Sequence, residues 1–237
     1  ICKNCSFYST YNEIPEKDIS KLYEDYRSDK YNKERESFEP GYIENISKLL
    51  GKKSEALIRV KALNKYFEAI NLKHGIEIKK CRNALDWGGA DGNFLPEFNP
   101  YCKKFVFEIS NIKPVKGVTK KQKFSKNDKY EYIQISHVLE HVSNPYKFLQ
   151  KPVSLLSSGG FLYLEVPIEI ENKDTIIEDV ISRKIYLKVH EHINKFTPRS
   201  LKACISSHKL ELVDICEEDI DLKWCMSKNL RVLARKP

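Results

Sequence analysis

The side chains best equipped for chemistry sit in a few short stretches. In "VHEHINKF", Val189 to Phe196, His190 and His192 flank Glu191. Alternate side chains of an extended strand share a face, so a His-x-His pair presents both imidazoles together, as a zinc or iron site requires. The same residues can serve as a general base beside an acceptor hydroxyl, since imidazole titrates near neutral pH and an adjacent carboxylate orients it. A hydrated surface is the third reading. In "HVLEH", His141 lies one helical turn from His137 and reads as structural, while Glu140 reads as a local cap or pair. Near the start, "CKNC" sets Cys2 and Cys5 at the spacing of half a zinc ribbon, which needs two further ligands.

A second group lies in "LDWGGADGNF". Small residues after a strand let a ligand approach the backbone closely. A dinucleotide fingerprint would need glycines where this chain has Ala90 and Asn93 after Gly88, so a nicotinamide or flavin does not fit. No Gly-Lys-Ser/Thr follows, which removes a phosphate-cradling loop. Glu108 ends the next apolar run, and an ionised carboxylate there accepts from both hydroxyls of a ribose. Glu165 also ends a strand near the same edge, with structural and functional readings balanced.

These residues need a frame. From about residue 83, apolar runs alternate with helical patterns, which predicts an α/β domain with a mainly parallel sheet. Strands are predicted at "NALDWGG", "KKFVFEIS", "YEYIQIS", "FLYLEVP" after the Gly159-Gly160 turn, "ELVDICEE" and "NLRVLARKP". Helices are predicted through "NFLPEF", "HVLEHVSNPYKFLQKPVSLL" and "TPRSLKACISSHKL", the last with Thr197 as N-cap and Pro198 in the first turn. Residues 12 to about 80 read as amphipathic helices, the last closing on Gly75. The expected division is a Cys-x-x-Cys remnant and helical cap over 1–80 and an α/β domain over 81–237.

Taken in order, "ALDWGGADGNF", "FVFEIS", "YIQISHVLEHVSNPYKFL" and "GGFLYLEVP" resemble a class I S-adenosylmethionine-dependent methyltransferase over roughly residues 83–235. The resemblance implies a Rossmann-like fold with a seven-stranded, mostly parallel sheet and S-adenosylmethionine as cofactor, and the helices before it suit a lid. It places Asp86, Gly88, Ala90 and Gly92 along the methionine end, Glu108 on the ribose, Ile109 against adenine, and Ser136 and His137 near the sulfonium. Asp128 is a candidate for the adenine amino group. The N-terminal segment resembles that of zinc-ribbon-bearing members acting on sugars, in which a second Cys pair lies upstream. Zn2+ on Cys2 and Cys5 is therefore an expectation with half its ligands.

Sugar methyltransferases of this superfamily carry a comparable "HEH" followed by an aromatic and Thr or Ser, here Phe196 and Thr197. Carbon-methylating members have Tyr before the first His and a further C-terminal domain. This chain has Val189 and ends at Pro237, which favours oxygen methylation. His192 is then the expected base, helped by Glu191 and His190, and the acceptor a nucleotide-linked or polysaccharide-pathway sugar. RNA or protein methylation, and a non-catalytic module of the same fold, remain alternatives.

Bulk composition sets outer limits. With 237 residues, 41% hydrophobic and 31% charged, the chain can bury one sizeable core. No apolar run approaches the roughly 18–20 residues of a membrane span, and no secretory leader opens the chain. The net charge of +8 suits an anionic acceptor, but the basic residues are scattered, which makes nucleic acid an unlikely partner. Seven cysteines, an odd and mostly dispersed set, point to a reducing, cytoplasmic setting.

Overall fold

The structure, a computed structural model, describes residues 2–9, 14–26, 28–44, 53–169, 192–222 and 225–237. Its centre is a seven-stranded sheet built from β2 (Asn83–Trp87), β3 (Lys103–Phe107), β4 (Val118–Lys121), β5 (Tyr130–Ser136), β6 (Leu156–Pro167), β8 (Glu211–Asp221) and β9 (Met226–Arg235). The strands lie in the order β4-β3-β2-β5-β6-β9-β8. The pairs β3/β4, β2/β3, β2/β5 and β5/β6 are parallel, and β9 runs antiparallel to both its neighbours. This is the open, Rossmann-like architecture expected. Chain order reverses between β2 and β5, so the crevice at their carboxyl ends is where a ligand belongs.

Alternation along the strands sends side chains into two layers. Leu85, Trp87, Ile133 and Ile135 join Leu149 of α4 (Pro145–Leu155) and Leu201 and Ile205 of α5 (Pro198–Ser207) on one face. Ala84, Tyr132, Tyr163 and Leu233 face the other layer, which α3 (Lys53–His74) covers with Leu63, Tyr66, Phe67 and Ile70. That i, i+3, i+4, i+7 spacing is one stripe of a helix, and Gly75 closes it at φ +68 with its N–H on Asn71 O, as its sequence position predicts. Two shorter helices, α1 (Glu16–Glu24) and α2 (Asp29–Phe38), precede it.

Three expected elements differ. "NFLPEF" forms no helix: Glu97 N–H bonds Asn64 Oδ1 at 3.0 Å and Phe94 O accepts Gln134 Nε2 at 3.1 Å, so side chains of other elements satisfy this backbone around Pro96. The helix predicted from His137 begins only at Pro145, because Asn144 caps it by accepting Lys147 N–H; Leu139–His141 is a single 3-10 turn. Strand β6 starts ahead of the glycine pair and runs through Gly159-Gly160, with Gly159 at φ +75.

A small second sheet ties the N-terminus to the site. β1 (Tyr8–Ser9) pairs antiparallel with β7 (Asn194–Lys195), directly after His192. Phe7 packs on Phe196 with ring centroids 5.2 Å apart. Thr197 starts α5 with a capping box to Ser200, and its hydroxyl reaches Cys5 O at 3.4 Å.

Candidate active site

Asp86, next to last in β2, has 1% exposure, and neither carboxylate oxygen has a hydrogen-bond partner. Burial, with smaller repulsions from Glu108 and Asp91, pushes its pKa up to about 8. The chain then turns through Gly88 at φ +77, Ala90 at φ +51 and Gly92 at φ +78. Gly89, which the sequence reading passed over, lies closest to the carboxylate: a Cβ there would sit 2.0 Å from Asp86 Cγ. The Gly-Gly pair directly after an acidic strand end was the available signal. Ala90 occupies the left-handed region at a cost of roughly 1–2 kcal/mol.

Glu108 follows β3 and stitches this loop to the next one. Its Oε2 accepts Ala90 N–H at 3.0 Å and its Oε1 accepts Ser110 N–H at 2.8 Å. A carboxylate has about four acceptor sites, so two remain for hydroxyl donors. Ile109 beside it is 56% exposed, an apolar surface at a strand end. Asp128, the candidate for the adenine amino group, accepts Ser125 N–H and pairs with Lys121 at the end of β4. Two backbone amides therefore hold a half-open carboxylate beside a glycine loop and a buried, unpartnered acid. That set fits an S-adenosylmethionine-type ligand, whose ribose hydroxyls, methionine backbone and ammonium call for these three features.

Beyond β5, Ser136 and His137 turn toward β6. Ser136 Oγ donates to Glu165 Oε1 at 3.1 Å. His137 sits at φ +53, a strained conformation of the kind held at functional sites. Its Nε2 lies 3.2 Å from Glu165 Oε1 and 3.1 Å from Arg59 Nη1, and its Nδ1 lies 3.3 Å from Glu140 Oε1. Burial pulls the imidazole down, but the neighbouring carboxylates of Glu140 and Glu165 outweigh it and raise the pKa to about 9. Glu165 is buried, which opposes its charge. His137, Arg231 and Arg59 overcome that and hold the carboxyl below its usual range. Tyr163 OH donates to its Oε2 at 2.7 Å and Arg231 Nε at 2.8 Å. Arg231, fully buried, also pairs with Glu218. Neither Arg59 nor Arg231 was singled out from sequence, although an arginine inside the apolar run "LRVLA" was a visible anomaly.

His192 completes the other wall. His190 and Glu191 lie outside the described residues. His192 Nδ1 lies 2.5 Å from Glu169 Oε1, and Lys195 pairs with the second oxygen of Glu169. The His192 ring meets that of His141 edge-on, centroids 4.8 Å apart. His141 Nδ1 meets Tyr23 OH of α1 at 2.9 Å and its Nε2 lies 3.7 Å from Glu140 Oε1. Glu140 is 1% exposed, so it stands between the His137 end and the histidine pair. One side chain enforces this meeting. Buried Asn194 donates through Nδ2 to Leu139 O at 3.0 Å and Val142 O at 2.6 Å, while its Oδ1 accepts Ser9 Oγ at 3.0 Å. The 3-10 turn carrying Glu140 and His141 is thereby clamped to the strand that follows His192.

Cys2 and Cys5 form a tight turn in which Ser6 N–H bonds Cys2 O at 2.8 Å. Hydrogen bonds from Cys5 and Asn4 lower the Cys2 thiol. Among the described residues the cysteines belong to no cluster of three metal-ligating side chains, whereas Glu140, His141 and His192 do. No described helix is long and apolar enough to cross a membrane.

Comparison with known proteins agrees with the fold. Residues 35–215 match a family model described as a methyltransferase domain. The 1,6-didemethyltoxoflavin-N1-methyltransferase of Burkholderia thailandensis, solved with 1,6-didemethyltoxoflavin and S-adenosylhomocysteine, superposes with a TM-score of 0.56 at 11% identity, covering 94% of this chain and 91% of that one. The plantazolicin methyltransferase BpumL, solved with S-adenosylhomocysteine, gives 0.54 at 14% identity, covering 92% and 95%. No curated protein matches the chain significantly.

Proposed function

The chain belongs to the class I S-adenosylmethionine-dependent methyltransferases, and from that premise we propose that it methylates a hydroxyl of a small polar acceptor of the nucleotide-linked or polysaccharide-pathway sugar class. When bound, the cofactor supplies a methyl carbon on a cationic sulfur that departs as a neutral thioether. Asp86 would face its ammonium, Gly88, Ala90 and Gly92 would admit its methionine end, and Glu108 would take the ribose hydroxyls. Ile109 would pack on the adenine, and Ser136 and His137 would flank the reacting centre.

The observation that carries the acceptor half is the contact of Glu169 with His192 Nδ1. A carboxylate at Nδ1 favours the tautomer with the proton there, which would leave the Nε2 lone pair for a base. His192 Nε2 would take the proton of the acceptor hydroxyl and so leave its oxygen free to accept the methyl group that the cofactor supplies. Such a base is worth roughly 10²–10⁴-fold for an alcohol. His190 and Glu191 belong to this proposal as neighbours of the base. The N-terminal helices would act as the lid, a reading supported by Tyr23 of α1 touching His141 and by Ser143 Oγ donating to Ile14 O at 2.6 Å. The split into a cap over 1–80 and a catalytic domain over 81–237 is part of the same reading. So are the cytoplasmic setting, which rests on the cysteine usage, and zinc at Cys2 and Cys5, which would need two more ligands.

The test incubates the protein with methyl-labelled S-adenosylmethionine and a panel of nucleotide sugars, with mass detection. Gain of one methyl group on a sugar, lost in His192→Ala, is the expected result. Full turnover by a folded His192→Ala protein would remove the base assignment.

A further inference from the structure

We propose that Glu140, His141 and His192 form a binding site for a zinc-class divalent cation, whose occupancy silences the base. One ligand atom from each of the three lies within 4.8 Å of the others. Ligand atoms around one tetrahedral zinc, at bonds of about 2.0–2.1 Å, sit about 3.3 Å apart, so closure needs a contraction of about 1.5 Å at most. Two imidazoles and one carboxylate are a donor set that zinc accepts, with a fourth position left open.

Three independent features point to a ligand. Glu140 is 1% exposed and both its oxygens lack a hydrogen bond, its neighbours His137 and His141 standing at 3.3 and 3.7 Å. His137 balances part of its charge from 3.3 Å, but with no hydrogen bond on either oxygen the carboxylate keeps lone pairs to offer a metal ion. His192 carries the outer partner that metal-bound histidines use, a carboxylate on one ring nitrogen, here Glu169 at 2.5 Å from Nδ1, which leaves Nε2 for the metal. His141 has its equivalent in the Tyr23 hydroxyl, 2.9 Å from Nδ1. Asn194 holds the two ligand-bearing segments together without contributing a ligand.

The silencing rests on the proposed role of His192. The Nε2 lone pair can hold either a cation or the acceptor's proton. Zinc at this position therefore opposes turnover, and a chelator restores it.

The experiment uses the full chain carrying Cys2→Ser and Cys5→Ser, which removes the thiols that would compete for metal. Zinc chloride is titrated against a chromophoric chelator, and methyl transfer to the nucleotide-sugar panel is followed in parallel. One zinc per chain is expected, weakened at least 10-fold by Glu140→Gln and by His141→Ala, and 10- to 100-fold by Glu169→Gln. Turnover should fall with the same zinc dependence as binding. If Glu140→Gln fails to fold, His141→Ala decides alone. Absence of binding, or binding indifferent to these substitutions, overturns the site. Binding that leaves turnover untouched overturns the silencing. Full zinc-free turnover by His192→Ala would instead defeat the base assignment, with the metal site judged by its own titration.

Discussion

Replacing Asn194 by alanine tests how the fold builds the site. The side chain is 1% exposed and makes three hydrogen bonds, to Leu139 O, Val142 O and Ser9 Oγ. Each is worth about 1 kcal/mol net, and a buried acceptor left without a donor costs about 1–3 kcal/mol. Two carbonyls lose their donor at once, so the expected destabilisation is about 3–5 kcal/mol. For a chain of this size that lowers Tm by about 10 °C, at 2–4 °C per kcal/mol. Ser9→Ala removes one bond of the three and should cost about 1 kcal/mol. Activity carries the sharper reading. Measured well below the lowered Tm, Asn194→Ala should turn over about 10- to 100-fold slower, because Glu140 and His141 no longer hold register with His192. Denaturant unfolding and methyl transfer on the same preparations provide the check. A loss under 1 kcal/mol, or undiminished turnover, would refute the idea that Asn194 assembles the two walls.

Other expectations follow from single groups. Asp86 has a folded pKa near 8 against an ordinary 3.8, so the acid form favours folding. Stability from this group is full below about pH 4 and is lost as pH rises through about 8, by the proton-linkage sign for a raised pKa. Asp86→Asn should flatten that decline in ligand-free thermal melts across this window while weakening cofactor binding, and parallel pH profiles for both proteins would contradict the assignment. Ala90→Gly should stabilise the ligand-free chain by up to about 1 kcal/mol, since relief at φ +51 exceeds the added unfolded-state entropy; chemical denaturation reads it. Arg231→Met should cost about 3–5 kcal/mol by stranding buried Glu165, with Glu165→Gln on top recovering part of the loss in the same unfolding assay.

The strands that build the cofactor end were legible because apolar runs such as "YIQIS" are buried on both faces. The glycine loop and Glu108 followed from their places at strand ends. β4, "VTKK", was missed because an edge strand of polar residues carries no apolar run. "NFLPEF" misled because Asn64 and Gln134, distant in sequence, answer its backbone groups. The acceptor wall was half legible. His192 stood out by type, but its partner Glu169 lies 23 positions away and His141 meets it only through the β1–β7 pairing and Asn194. No local pattern encodes such a meeting, and His141, read from sequence as structural, stands beside the proposed base.

Calorimetric titration with S-adenosylhomocysteine addresses the central assignment without knowledge of the acceptor. One molecule should bind per chain, and Glu108→Ala, which removes the carboxylate held by Ala90 and Ser110 amides, should weaken it at least 10-fold, about 1.4 kcal/mol. Absence of binding by the unaltered chain, or equal affinity in a folded Glu108→Ala protein, would contradict the account.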